Sequence, residues 1–167
     1  MRKSAAKRVR AHHEALAPKM GSVAATFHTR LFERTPSIAP SFASDHEQRE
    51  RQFIAALATI AKNLDRLDVL EEPLMQLGER HLECGIPPEH YSVVRDELIG
   101  TLSHHSGSEW SEQLERDWFL GLSLVCEALL KGVLRAAEHR AATPAKHAPQ
   151  AQPVVRPLGA NAHSRKR

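Results

Sequence analysis

The chain has little of what most small-protein chemistries require. Two cysteines, Cys84 and Cys126, in 167 residues are too few for a disulfide scaffold or a zinc cluster, and they suit a reducing compartment. No apolar run approaches the 18 residues of a membrane span. The N-terminal segment is basic but lacks the apolar stretch of a secretory signal, so a cytoplasmic location is expected. No convincing alternation of apolar and polar residues marks a strand, no repeat recurs, and no glycine-rich phosphate loop is present. A built-in nicotinamide or flavin site is therefore not expected.

Charge is divided along the chain. Residues 1–13 carry five bases (Arg2, Lys3, Lys7, Arg8 and Arg10) and no acid, and residues 140–167 carry six bases and no acid. The stretch between holds all 20 acids against 12 bases, so the basic balance of the whole says nothing about partners of the acidic body. No aromatic residue interleaves the basic ends, and a dedicated nucleic-acid site is not expected.

What is present is helical periodicity punctuated by Pro and Gly. The pattern predicts an all-α fold of about six main helices. They span about Ser4 to Leu16, Pro18 to Arg34, Asp45 to Leu64, Glu72 to Cys84, Pro87 to Ser103, and the region after Ser108 to Glu138. Pro18 suits a first helical turn, and Gly85 suits a helix stop. The apolar stripes are Phe53, Leu57, Ile60, Ala61 and Leu64 on the third helix, Tyr91, Val94, Leu98 and Leu102 on the fifth, and Trp118, Leu122, Val125, Leu129 and Val133 on the sixth. Periodicity ends near residue 140. Residues 141–167, with Pro144, Pro149, Pro153 and Pro157, are expected to form a disordered tail, leaving 1–140 as one domain.

Eleven histidines raise the question of which carry chemistry. An isolated helical histidine is usually a surface or core-satisfied residue. His12-His13 and His104-His105 are adjacent pairs that point in different directions and are expected to be solvated. His81 stands in a different setting. It closes a helix, precedes the Gly85 stop and the Pro87-Pro88 restart, and lies ten residues before the lone Tyr, Tyr91. On a helix its Nδ1–H can reach the Leu77 carbonyl, leaving Nε2 for a metal. Upstream, Thr26-Phe27-His28-Thr29-Arg30-Leu31-Phe32 is followed, fourteen residues after His28, by Phe42.

These spacings, over about residues 9–136, resemble the bacterial single-domain haemoglobins, relatives of the haem domain of flavohaemoglobins. The resemblance implies a globin fold around a pocket for haem b, with His81 on the iron. It implies Phe42, Phe53, Leu57, Leu77, Ile86, Tyr91 and Val94 around the porphyrin. It places His28 where the family usually has a distal Tyr, Phe53 where it usually has Leu, and Arg49 where Gln is common. Gln52 and Gln48 are alternative distal residues. Arg49 could instead lie on a haem propionate, or belong to the solvated face of the charged run 45–51. His28 could donate a hydrogen bond to bound O2 if its distal nitrogen carries the proton. The family's Glu that joins the proximal His and Tyr falls at Val133 here, and Glu127 lies about 120° around the helix from it.

The implied function is binding of O2, or another diatomic gas such as NO or CO. Storage, delivery, or NO removal with an external reductase would follow. The alternative readings are a gas sensor acting through the basic ends and a haem-free interaction domain of the same fold.

Overall fold

The computed structural model describes residues 1–42 and 45–142, and every regular element among them is helical. The six α-helices are α1 (Lys3–Leu16), α2 (Met20–Arg34), α3 (His46–Asn63), α4 (Leu67–Glu83), α5 (Tyr91–Ser106) and α6 (Glu112–Ala142), with short 3₁₀ turns at Ala17–Lys19, Pro36–Ser41, Pro88–His90 and Gly107–Glu109. All but the first two residues of the expected tail lie outside the described residues; Ala141 and Ala142 complete α6.

Most starts and stops have local causes. Asp45 caps α3, its carboxylate accepting from the Glu47 and Gln48 amides at 3.0 and 3.2 Å, which satisfies N–H groups that have no partner within the helix. Ser111 caps α6 by accepting from the Leu114 amide at 3.2 Å. Pro18 sits in a 3₁₀ turn before α2 rather than in its first turn. The fourth helix starts five residues before its expected start at Glu72. Pro73 then falls inside it, on the exposed side. There the proline removes one backbone bond, while the extra first turn brings Leu70 into the core.

The end of α4 governs the site. Gly85 takes φ +75°, the Ile86 amide donates to the His81 carbonyl at 2.9 Å, and the Gly85 amide donates to that of Leu82 at 3.2 Å. This is a Schellman closure, which favours glycine at the left-handed residue. It turns Ile86 into the core and aims the chain at α5. Gly85→Ala should therefore lower stability by about 1–2 kcal/mol, the strain of an L-residue there. Urea melts read this, and an unchanged midpoint would show that the turn adapts.

Two groups of buried side chains form the interior. The first joins α1, α2, α3, α5 and the start of α6 around Trp118, Leu31, Val23, Leu102 and Leu64. The second joins α4, the start of α5 and the later turns of α6 around Leu74, Ile86, Tyr91, Leu129 and Val133. The expected stripes on α5 and α6 supply both. Phe42, Ile60 and Leu67 pack against both groups.

Helices α4 and α6 approach through a reciprocal pair of glycines. A Cβ on Gly78 would land on the Leu129 carbonyl, and one on Gly132 on the Met75 carbonyl. Along the same seam Lys131 reaches Glu71, and Arg135 reaches Glu72 and Glu79.

The histidine pairs differ from expectation. His12 and His13 are buried, each 8% exposed, because α1 packs against both α3 and α6 and covers two of its faces. The Trp118 indole N–H donates to His12 Nδ1 at 3.0 Å. With Nδ1 an acceptor, His12 Nε2–H donates to Ser106 Oγ at 2.7 Å, and Ser106 in turn donates to the Leu102 carbonyl. His104 and His105 lie in the last turn of α5 rather than a loop. His104 is exposed, while His105 is half-buried against the Thr26 hydroxyl at 3.0 Å.

Candidate functional site

His81 lies in the last turn of α4, three residues beyond Gly78. The close α4–α6 seam and the Gly85 closure hold it from two sides. Its ring meets Tyr91 edge-on with centroids 5.8 Å apart. Nδ1 is buried with no hydrogen-bond partner, so the bond to the Leu77 carbonyl expected from sequence does not form: the ring is turned toward α5 instead of back along its own helix. Burial, followed by the charge of Arg80, lowers the His81 pKa. The imidazole is thus held in the neutral form that a metal requires.

Tyr91 opens α5, only 5% exposed. Its hydroxyl also lacks a partner, and burial pushes its pKa up to about 12. Val133, which stands where the resemblance puts the family's Glu, is buried in the same group of side chains, and Glu127 is exposed. Leu77 and Ile86 complete this side.

The opposite side is an aromatic cage on α2, the 3₁₀ turn after it, and α3. His28, 4% exposed, has Phe53, Phe32 and Phe42 around it at 5.4, 5.9 and 6.1 Å between ring centroids. Phe27 stacks on Phe53 at 4.7 Å. Leu57 is buried and Val94 half-buried in the same group of side chains. Arg49 is half-buried with its guanidinium over the Phe32 ring at 5.4 Å. It therefore leaves the solvated face of the charged run, whereas Gln48 and Gln52 are exposed.

The backbone bond expected of His81 is made by His28. Its Nδ1–H donates to the Ala24 carbonyl at 2.8 Å; a carbonyl only accepts, so the proton of the neutral ring is on Nδ1 and Nε2 presents a lone pair. Burial lowers the His28 pKa, the Ala24 bond works against that, and Arg49 adds to it. Donation from Nε2 to a bound gas thus requires the imidazolium, which this pocket disfavours.

Phe27 and Phe32 complete the cage and were not singled out from sequence. Phe32 could have been: it lies four residues after His28, on the same helix face. The glycine pair of the α4–α6 seam carried no such signal, because its meaning depends on the register between two helices.

The two sides meet at Phe42, which packs on both groups of side chains. Together they offer two apolar walls, a half-buried imidazole whose pKa is lowered, and the Arg49 guanidinium over the Phe32 ring. These features fit a flat apolar macrocycle with a coordinated metal and peripheral carboxylates. Residues 25–129 match the globin family.

The chain belongs to the globin family. Membership implies haem binding, and the donor set just described suits it. Similar proteins include the flavohaemoprotein of Vibrio cholerae, 30% identical over 95 residues that make up 55% of this chain and 24% of that protein. Neuroglobin of Danio rerio is 26% identical over 126 residues, covering 67% of this chain and 79% of that one. This globin thus spans about a quarter of the flavohaemoprotein it matches. Its fold is that of the bacterial globin of Campylobacter jejuni, with a TM-score of 0.72 at 15% identity, covering 82% and 99% of the two chains. Among the described residues no helix is long and apolar enough to cross a membrane.

Proposed function

We propose that this globin carries haem b on His81 and binds O2 and other diatomic gases on the side of His28 and Arg49. The observation that carries the reading is the half-buried His81 imidazole, its pKa lowered by its surroundings, faced by Tyr91 and set between two apolar walls. Leu77, Ile86 and Tyr91 would line the proximal face; Phe42, Phe53, Leu57 and Val94 would pack along the macrocycle. The bound group supplies the iron that a diatomic ligand needs.

The chain's own residues set the rest. The Phe27, Phe32, Phe42 and Phe53 rings exclude water from the ligand side. Arg49 brings a positive charge to that side, over Phe32, and can pair with a propionate or with negative charge on bound O2. With Val133 in place of a carboxylate, the His81 imidazole receives little anionic character. This favours reversible binding, in storage or delivery, over assisted O–O cleavage. NO dioxygenation would draw electrons from an external reductase.

Titration with haemin should give a strong Soret band that shifts with CO in the reduced protein. His81→Ala should lose most of the haem, and added imidazole should restore it. A ferrous spectrum unchanged in that variant would refute the axial role, and no Soret band in the wild type would leave a haem-free interaction domain.

A further inference from the structure

We propose that this globin pairs with a second copy of itself, helix α6 lying antiparallel against α6 of the other copy. The proposal stands apart from the haem reading and starts from where apolar surface is left open. Among the described residues the exposed large hydrophobic side chains are Val69, Phe119, Leu120, Leu130 and Leu134, and four of these five lie on α6. Leu134 is 63% exposed and Phe119 46%. The buried side of α6 explains the division. Trp118, Leu122, Val125, Leu129 and Val133 pack toward α1, α4 and α5, which leaves the opposite arc on the outside of the fold. Apolar residues scattered singly over a surface mean little, whereas a contiguous row marks an interface.

The row has the spacing of a helix-pairing seam. Phe119, Ser123, Cys126 and Leu130 follow at steps of four, three and four residues, Leu134 continues the row, and none of them is charged. Steps of this kind keep one stripe of a helix facing another helix. Arg95 lies over the Phe119 ring, its guanidinium 4.2 Å from the centroid, and props that ring at the edge of the seam. A second copy suits the row because the row is complementary to itself when reversed. A two-fold axis between Cys126 and Glu127 sets Phe119 against Leu134 of the other copy, and the small Ser123 against Leu130. A shallow groove lined by Glu112, Glu115, Arg116 and Phe119 opens at that end of the row and gives Leu134 a seat. The same axis brings Arg116 of each copy to Glu138 of the other, both of them exposed. Arg116 holds Glu112 at 3.3 Å within its own helix, a surface contact that it can trade at little cost. From Arg116 to Glu138 the helix rises about 33 Å, about the width of a standard interface of roughly 800 Å² per partner. Glu127, at the rim beside the axis, meets its own copy and opposes the pairing.

Sedimentation equilibrium of the full chain tests this. The chain should show a monomer–dimer equilibrium between about 1 and 100 µM. Leu130→Glu and Leu134→Glu replace exposed residues, so both should fold, and each should weaken the dimer by about 30-fold or more, as at the centre of an interface. Arg116→Glu and Glu138→Arg should each weaken it by about tenfold, because like charges then meet at both ends of the seam. Combined in one chain, the two should bring the dimer constant back to within about threefold of the wild type. Glu127→Gln should tighten the dimer by about threefold, since it removes the one repulsion beside the axis.

Recovery by the exchanged pair is the result that an antiparallel second copy produces and an unlike partner does not. Two single variants that each weaken the dimer without recovery in combination would overturn the antiparallel pairing. A dimer constant unaltered in Leu130→Glu and Leu134→Glu would put the contact on another face and overturn it as well. So would a full chain that stays monomeric up to about 100 µM; the row would then belong to residues 143–167 of the same chain or to an unlike partner. Circular dichroism melts check that the variants keep the fold. If the glutamate variants melt early, the charge exchange between positions 116 and 138 decides alone.

Discussion

Gly132→Ala is expected to lower stability by about 3 kcal/mol or more, at the upper end of what overpacking costs. The melting temperature should fall by on the order of 10 °C. The added Cβ would fall on the Met75 carbonyl oxygen. That atom belongs to helix backbone, and no side-chain rotation can clear it. Helix α4 must therefore move off α6, and α4 carries His81. The reciprocal glycine, Gly78, lies one turn before His81 and opposes Leu129 in the same way. Separation would strip contacts from Leu70, Leu74 and Leu129, and it would also part the ion pairs along the seam, of which Arg135–Glu79 is half-buried and the others lie at the surface. Haem should dissociate faster from the variant even at temperatures where it is folded.

Gly21→Ala is the control. Gly21 lies on an exposed part of α2 with nothing within 4 Å of an added Cβ, so there the substitution should stabilise by about 0.5–1 kcal/mol through helix propensity. Thermal melts of the two variants, and the rate of haem transfer to an excess of apomyoglobin, check both signs. If Gly132→Ala melts with the wild type, the seam is looser than the structure shows.

The pair explains why part of this fold is legible in sequence and part is not. The stripes of α3, α5 and α6 could be read because burial of a helix face repeats every three or four residues, and those residues are buried, or half-buried in the case of Phe53, Ile60 and Val94. The stop at Gly85 could be read because only one residue type takes its backbone conformation without strain. The start of α4 could not, because only the packing of Leu70 shows that a turn forms before Glu72. The meaning of Gly78 and Gly132 depends on which turn of one helix faces which turn of another.

The site divides along the same line. The resemblance carried by the His81–Tyr91 spacing already implied that both belong to one side of the pocket, and the structure sets their rings 5.8 Å apart. The orientation of each imidazole was not legible. His81 and His28 both have a carbonyl four residues back; one ring turns toward Tyr91 and the other bonds to Ala24. That choice rests on side-chain rotamers set by neighbours from other helices, and it decides which ring nitrogen of His28 carries the proton.

Acid should destabilise this globin earlier than its carboxylates alone would. His12, His13, His28 and His81 all have lowered pKa values, burial being the largest cause in each. The native state holds these rings neutral, while in the unfolded chain they take up protons near the ordinary value of 6.5. The unfolded state then binds more protons, and stability rises with pH wherever that holds. The contribution of the four is complete above that value and is lost as pH falls through the lowered native values. Each extra proton bound on unfolding can add a slope of up to about 1.4 kcal/mol per pH unit. His12 gives the clearest structural reason. Protonation would place a second N–H against the Trp118 indole N–H, two donors facing each other at the centre of the first core, where Trp118 is fully buried. Urea midpoints of the haem-free protein should thus drop steadily between about pH 7 and pH 5. His12→Gln, which keeps an acceptor and a donor but does not titrate in this range, should flatten part of that fall. A midpoint independent of pH over this interval would mean that these rings ionise inside the fold at little cost. An unchanged slope in His12→Gln would shift the effect onto His13, His28 and His81.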